Sequence, residues 1–199
     1  MTKPFSQACE NNKGPILHVL RRVLTDATAV FEVGSGTGQH AVYMASNLPH
    51  VIWQTSDQPP YHDGINQWID AYPSTNLARP VEYVAGVHSL EGRRFNAVFS
   101  ANTAHIMQKK EVMMLMQDVD ENLPAGGVFC QYGPFTQQGK FSSQSNAEFH
   151  ASLLERGCGG YRDVEELKNW VKTLILSETI VMPANNLLLV WKKQPTFCK

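Results

Sequence analysis

Val30-Phe31-Glu32-Val33-Gly34-Ser35-Gly36-Thr37-Gly38 decides how the rest of this chain is read. A short branched and aromatic run surrounds one acid, and three glycines follow at alternate positions. Such a run, closed by glycine, reads as a buried strand breaking into a tight turn. Without side chains, the turn lets the backbone pass close to a ligand and present its N–H groups at the start of the next helix. The dinucleotide fingerprint G-x-G-x-x-G needs glycine at position 39, and Gln39 stands there. The pattern is E-x-G-x-G-x-G, and taken alone it is equally a strand-to-helix turn that holds nothing.

Outward from this loop, strand and helix patterns alternate. Strand candidates cover 28–33, 50–56, 81–85, 95–100 and 128–132. Helical spacing links Ile16, Leu17, Leu20, Val23 and Leu24 after Gly14-Pro15, where proline suits a first helical position. The same spacing recurs from about Thr37 through Leu48, from Ile65 to Tyr72 after Pro59-Pro60, and from Val112 to Leu123 before Pro124-Ala125-Gly126-Gly127. Residues 135–144 read as a polar loop. Ser145-Asn146-Ala147-Glu148 has the form of a capping box. Asp163 caps a helix carrying Val164, Leu167, Val171 and Leu174. Two apolar runs, 174–182 and 187–192, flank Pro183-Ala184-Asn185-Asn186 and predict an antiparallel hairpin. The expected fold is α/β: a doubly wound, Rossmann-like sheet of about seven strands, mostly parallel, closed by a C-terminal antiparallel hairpin. Ligands of such sheets lie at the carboxyl ends of the central strands.

The second strand ends in Ser56-Asp57, with Asp57 placed 19 residues after Gly38. An acid there can accept both hydroxyls of a ribose; its other reading is a cap before Pro59-Pro60. Loop and acid together specify a nucleoside-containing ligand. The composition agrees with an ordinary globular chain: 199 residues form a single expected domain (1–199), 43% hydrophobic and 18% charged. A net charge of −1 offers no basic field for a nucleic-acid backbone. The longest purely apolar run, 187–191, falls far short of a bilayer span, so no membrane partner is expected. Residues 1–5 lack the apolar region of a signal peptide. Cys9, Cys130, Cys158 and Cys198 are scattered, which reads as reduced thiols in a cytoplasmic protein. His40, His50, His62, His88 and His150 show no ligand spacing, so no metal is expected.

Glu32-x-Gly34-x-Gly36-x-Gly38 with Asp57 downstream resembles the cofactor loop of class I S-adenosylmethionine-dependent methyltransferases. The resemblance narrows to the DUF938 family, also called UPF0585 or methyltransferase-like 26. It is carried by Phe5-Ser6, Glu10-Asn11-Asn12-Lys13-Gly14-Pro15-Ile16-Leu17, Gly34-Ser35-Gly36-Thr37-Gly38-Gln39-His40-Ala41 and Trp53-Gln54-Thr55-Ser56-Asp57. Asn102-x-x-His105-Ile106, Tyr132-Gly133-Pro134-Phe135, Ser145-Asn146-Ala147-x-Phe149 and Met182-Pro183-Ala184-Asn185-Asn186-Leu187-Leu188-Leu189-Val190 complete it. The glycine loop is widely shared, whereas the Tyr-Gly-Pro-Phe and Pro-Ala-Asn-Asn segments are more specific. Two positions depart from the family pattern: Asn11 stands where arginine is frequent, and Gly86 where an aspartate often faces the adenine amino group.

The resemblance implies an enzyme that transfers a methyl group from S-adenosylmethionine to a small-molecule acceptor and leaves S-adenosylhomocysteine. The expected cofactor residues are Glu32, Gly34, Ser35, Gly36, Asp57, Gly86, Val87, Ser100 and Asn102, the Gly86-Val87 backbone replacing the missing aspartate. His105 and Tyr132 are the candidate catalytic residues, because both follow strands at the carboxyl edge; a hydrogen-bonded edge histidine is the plainer reading of His105. With Asn185 they are expected to line a small closed pocket, covered by the 135–144 loop. Asn11 and Asn12 are candidates for a lid or for a cap. Phe149, Trp170, Met113, Met114 and Met116 read as core or helix-face residues. The Asn/Asp-Pro-Pro-Tyr motif of base-modifying methyltransferases is missing after the fourth strand, where Ser100-Ala101-Asn102-Thr103 stands. A protein that binds the same nucleoside ligand without turnover is the alternative. A nicotinamide oxidoreductase is a third reading, opposed by Gln39.

Overall fold

Alternate residues of each central strand face opposite helical layers, which is why these strands read as continuous apolar runs. The computed structural model describes residues 3–195; Met1, Thr2 and Cys198 lie outside them. The strands are β1 (Ala29–Val33), β2 (Ile52–Asp57), β3 (Leu77–Glu82), β4 (Ala97–Ala101), β5 (Val128–Gly133), β6 (Phe135–Thr136), β7 (Arg162–Asp163), β8 (Leu174–Met182) and β9 (Asn186–Lys193). The helices are α1 (Gln7–Val23), α2 (Gln39–Asn47), α3 (Pro59–Ala71), α4 (Lys109–Asn122), α5 (Gln144–Glu155) and α6 (Val164–Asn169).

Seven strands form one sheet in the order β3-β2-β1-β4-β5-β9-β8. β1 to β5 pair in parallel, and β9 runs antiparallel to both β5 and β8. This is the doubly wound sheet with its terminal hairpin. Because β9 alone is reversed, β8 runs with the parallel set, and the 183–185 turn reaches the carboxyl edge. One core layer packs Val30, Trp53, Phe99, Cys130 and Leu188 under α1, α2 and α3. The other packs Phe31, Val98, Phe129 and Trp191 under α4 and α6.

Several elements differ from expectation. α1 begins at Gln7, not after Gly14, with Ser6 as its cap and Pro15 inside it. An interior proline costs about 3 kcal/mol; the capped and clamped N-terminal turn described below offsets it. β3 begins four residues before Val81 and contains Pro80. It is an edge strand, where a proline N–H can be missing without loss of a ladder bond. α5 is capped by Ser143, whose hydroxyl accepts from the Asn146 N–H at 3.1 Å, rather than by Ser145. α6 starts at its Asp163 cap as expected but ends at Asn169. Beyond it, the Asp120 carboxylate accepts from the N–H groups of Lys172 and Leu174, both at 2.7 Å, which ends the helix and launches β8. Residues 135–136 do not stay loop: they pair with 162–163 in a two-stranded parallel ribbon.

Candidate functional site

The glycine loop leaves β1 and turns into α2 through three left-handed glycines, Gly34 (φ 71°), Gly36 (φ 58°) and Gly38 (φ 89°). A Cβ on Gly34 would meet Thr103 Cγ2 at 2.5 Å, so only glycine lets this loop lie against the end of β4. A Cβ on Gly36 would meet no atom within 4 Å; its space opens to the cleft that Gly36 lines. The loop is braced from below and beside. Glu32, buried, accepts from Ser35 Oγ at 2.8 Å and Trp53 Nε1 at 3.0 Å. Burial pushes its carboxyl up to about 7, against the pull of those two donors. Asp57 takes the Gly36 N–H on Oδ2 and the Gln58 N–H on Oδ1, both at 2.7 Å. Half-burial raises the Asp57 pKa although both N–H groups oppose it.

Gln39, the residue that breaks the dinucleotide fingerprint, is a clamp. Its Oε1 accepts from the Ser6 N–H at 2.6 Å and from Thr37 Oγ1 at 3.0 Å, and its Nε2 donates to Glu10 Oε1 at 2.8 Å. The start of α1 is thereby fastened across the loop. The chain before it lies on α3, where Trp68 Nε1 donates to the Pro4 carbonyl at 2.6 Å.

A cleft of about 850 Å³ runs along the carboxyl edge of the sheet. Gly34, Ser35, Gly36, Asp57 and Thr103 line it at the glycine loop, and His105, Tyr161 and Arg156 line it around the Phe149 ring; Asn102, Tyr132 and Asn186 also face it. His40 and Asn12 also line it. His40 Nε2 lies 2.6 Å from Asn12 Oδ1, and burial pushes the imidazole down to about 4. Tyr132 is buried, which raises its phenol pKa, while the side chains of Asn12 and Asn186 pull the other way. Asn102 sits in the left-handed region (φ 58°) and donates its N–H to the Tyr132 carbonyl at 2.9 Å, fixing the turn that carries His105. The His105 carbonyl accepts from the Gly160 N–H at 3.0 Å. Its ring packs against Phe149 with centroids 5.9 Å apart. Among the described residues no hydrogen bond engages that ring, and Nδ1 is buried without a partner. Burial and the nearby Arg156 charge push His105 down to about 4, so its imidazole is neutral.

Of the expected cofactor residues, Gly34, Ser35, Gly36, Asp57 and Asn102 line one cleft together with His105 and Tyr132. Glu32 does not line it; it lies beneath the loop as a brace. Ser100 is buried and pairs with the Thr103 hydroxyl instead. Gly86 and Val87 border a separate hollow of about 290 Å³ against Met114 and Asp118. A Cβ at Gly86 would meet the end of the Met114 side chain, Sδ at 2.7 Å, and the left-handed backbone (φ 80°) strains any side chain there, so the acid frequent in the family would need both strain and a shift of Met114. Asn185 turns away from the cleft toward Ser143, and its neighbour Asn186 lines the cleft instead. The 135–144 loop supplies no lining residue; α5 covers this end with Asn146, Phe149, Leu153 and Arg156. Phe149 is therefore not core: 41% of it is exposed. Asn12 and His40 carried a readable signal, because each interrupts an otherwise apolar buried stripe, 12-16-20 on α1 and 40-44-48 on α2. Arg156 and Tyr161 had none.

Among the described residues there is no cluster of three or more His, Cys, Asp or Glu placed to hold a metal. No helix among them is long and apolar enough to cross a membrane.

The profile of the family described as "Protein of unknown function (DUF938)" matches residues 3–193. The fold is similar to that of an O-methyltransferase family protein from Burkholderia thailandensis, with a TM-score of 0.79 and 15% identity over 95% of this chain and 58% of that one. Human N-acetylserotonin methyltransferase, solved in complex with SAM, superposes with a TM-score of 0.78 and 13% identity over 95% of this chain and 53% of that one. An O-methyltransferase family 2 protein from Planctomyces limnophilus, solved with apigenin, gives a TM-score of 0.73 and 13% identity over 92% of this chain and 62% of that one. The chain thus spans little more than half the length of these structures. The sheet with its reversed terminal strand is the methyltransferase fold.

Proposed function

The chain belongs to the DUF938 family, and on that premise we propose that it is an S-adenosylmethionine-dependent methyltransferase acting on a small-molecule acceptor. The observation that carries this reading is the cleft in which Gly36, open to ligand, and Asp57 share one wall with His105 and Tyr132 further along. When bound, the cofactor supplies an electrophilic methyl group on a positively charged sulfur. The Gly34, Ser35 and Gly36 backbone would approach its amino-acid end, as glycine turns permit. Asp57, whose two oxygens each hold one N–H, keeps further lone pairs for ribose hydroxyls. Gly86 and Val87 belong to the other hollow, so the adenine end is assigned to Gln58 and Tyr61, which follow Asp57 in the same cleft.

On the acceptor side, His105 is neutral at physiological pH and free to accept a proton or a hydrogen bond from the nucleophile. A base this weak contributes mainly by orienting the acceptor, and alignment supplies much of the rate in such displacements. The uncommitted ring favours turnover over the alternative of a protein that only holds its nucleoside. The three solved relatives carry methyltransferase names, and the one solved with apigenin supports a small aromatic acceptor.

A thermal-shift titration with S-adenosylhomocysteine tests the reading. At about 100 times its dissociation constant the ligand should add roughly 2.7 kcal/mol of stability. His105→Asn should keep that shift while lowering turnover of labelled S-adenosylmethionine against a metabolite pool. A response to NAD but to neither sulfur ligand would overturn the assignment.

A further inference from the structure

The charges along the cleft are unevenly placed. With His40 and His105 neutral, the one acid among the lining residues is Asp57, beside the glycine loop, and the one cation is Arg156, beside Phe149. Asp57 is engaged by two backbone N–H groups. Arg156 uses Nε on the Ser152 carbonyl at 3.2 Å, which leaves its two terminal nitrogens uncommitted. Among the described residues no carboxylate pairs with it, whereas Arg22 and Arg79 each hold one. Its guanidinium lies 6.0 Å from the Phe149 ring centroid, so the side chain is directed along an aromatic wall. Phe149 and Tyr161 meet edge to face at 6.2 Å, and Phe149 also packs on His105. One cation, one neutral imidazole and an aromatic wall thus occur within a single end of the cleft.

We propose, resting on the methyltransferase reading, that the methyl acceptor is a small aromatic hydroxy acid. Its carboxylate lies on Arg156, its ring lies against Phe149 and Tyr161, and its hydroxyl donates to the His105 imidazole. A guanidinium with two free nitrogens matches a carboxylate in the bidentate geometry that makes such pairs strong. An aromatic ring suits a wall built from aromatic edges and faces. The anion also offsets the Arg156 charge that disfavours protonation of His105, so the imidazole becomes a better proton acceptor when the acceptor is seated.

The test is calorimetric titration of the protein, with and without S-adenosylhomocysteine, using ortho-, meta- and para-hydroxybenzoate and the matching hydroxybenzamides. Size and ring are equal within each pair, so their ratio isolates the carboxylate. At least one acid should bind about tenfold or more tighter than its amide, the scale of a charge-assisted pair. Arg156→Met should abolish that ratio, Arg156→Lys should restore part of it, and neither should change affinity for S-adenosylhomocysteine. Arg156 is an exposed residue at the C-terminus of α5, so both variants should fold. The proposal is overturned if no acid outperforms its amide or if Arg156→Met keeps the discrimination. A loss of S-adenosylhomocysteine binding in that variant would also overturn it, because Arg156 would then hold the cofactor's own carboxylate. Failure of the wild-type protein to bind S-adenosylhomocysteine strikes the methyltransferase reading instead, and the acid-to-amide ratio measured without it still decides this one.

Discussion

Asp57 shows how one side chain serves both the fold and a ligand. Its carboxylate closes the gap between the β2 end and the glycine loop through the Gly36 N–H, and its remaining lone pairs face the cleft it lines. Asp57→Ala removes both functions, whereas Asp57→Asn keeps an oxygen for Gly36 and loses the charge. Two charge-assisted bonds to ribose hydroxyls are each worth about 1.5–3 kcal/mol. Calorimetry should therefore find S-adenosylhomocysteine weakened by both variants, with denaturant unfolding showing a smaller stability loss for Asn than for Ala. Unchanged affinity in both would leave Asp57 as a brace alone.

The element that decides the shape of the cofactor end is α1. Its apolar stripe (Ile16, Leu17, Val19, Leu20) is enough to dock it on the sheet. Its first turns are positioned instead by Gln39, whose amide holds Ser6 and Glu10. Gln39 is 2% exposed, so its loss cannot be made good by water. Gln39→Leu should cost about 1–3 kcal/mol for the buried donors and acceptors it strands. The effect should be local: hydrogen exchange of the α1 amides before Pro15 should speed up well before those after it. Uniform acceleration along α1 would mean that Gln39 acts on the whole helix.

Across the whole molecule, buried titratable groups set the acid response. His40 and His105 are held near 4 in the fold and return to about 6.5 when unfolded. Between those values the unfolded chain binds more protons, so stability falls as pH drops from about 6.5 to about 4. Each histidine contributes up to about 1.4 kcal/mol per pH unit in that window. Glu32 acts oppositely: held near 7 and released to its usual range on unfolding, it removes stability as pH rises from about 4.5 to about 7. Asp57, also raised by burial, acts in the same direction as Glu32, and the two histidines together outweigh these acids, leaving a net loss toward low pH. Denaturant unfolding at pH 6.5 and pH 5 should show the lower stability at pH 5, and His105→Asn should shrink the difference. A wild-type protein more stable at pH 5 would contradict this balance.

The order of strands and helices, the glycine loop and Asp57 were legible in the chain, because strand and helix periodicity, left-handed glycines and an acid at a strand end are local properties. Element boundaries were less so. Pro80 is admitted to β3 by its place on the sheet edge, and Pro15 to α1 by a clamp from residue 39; neither partner is near in sequence. The candidate cofactor set divided for the same reason. Glu32 faces inward under its own loop, Ser100 turns to Thr103, and the Met114 side chain fills the space beside Gly86. The acceptor end was hardly legible at all. His105 and Tyr132 follow strands and could be named from that pattern, whereas Phe149, Arg156 and Tyr161 arrive on α5 and the segment after it. Their meeting with His105 is fixed by the packing of that segment across the carboxyl edge, through bonds such as the Gly160 N–H to the His105 carbonyl, and long-range packing leaves no periodic mark in a sequence.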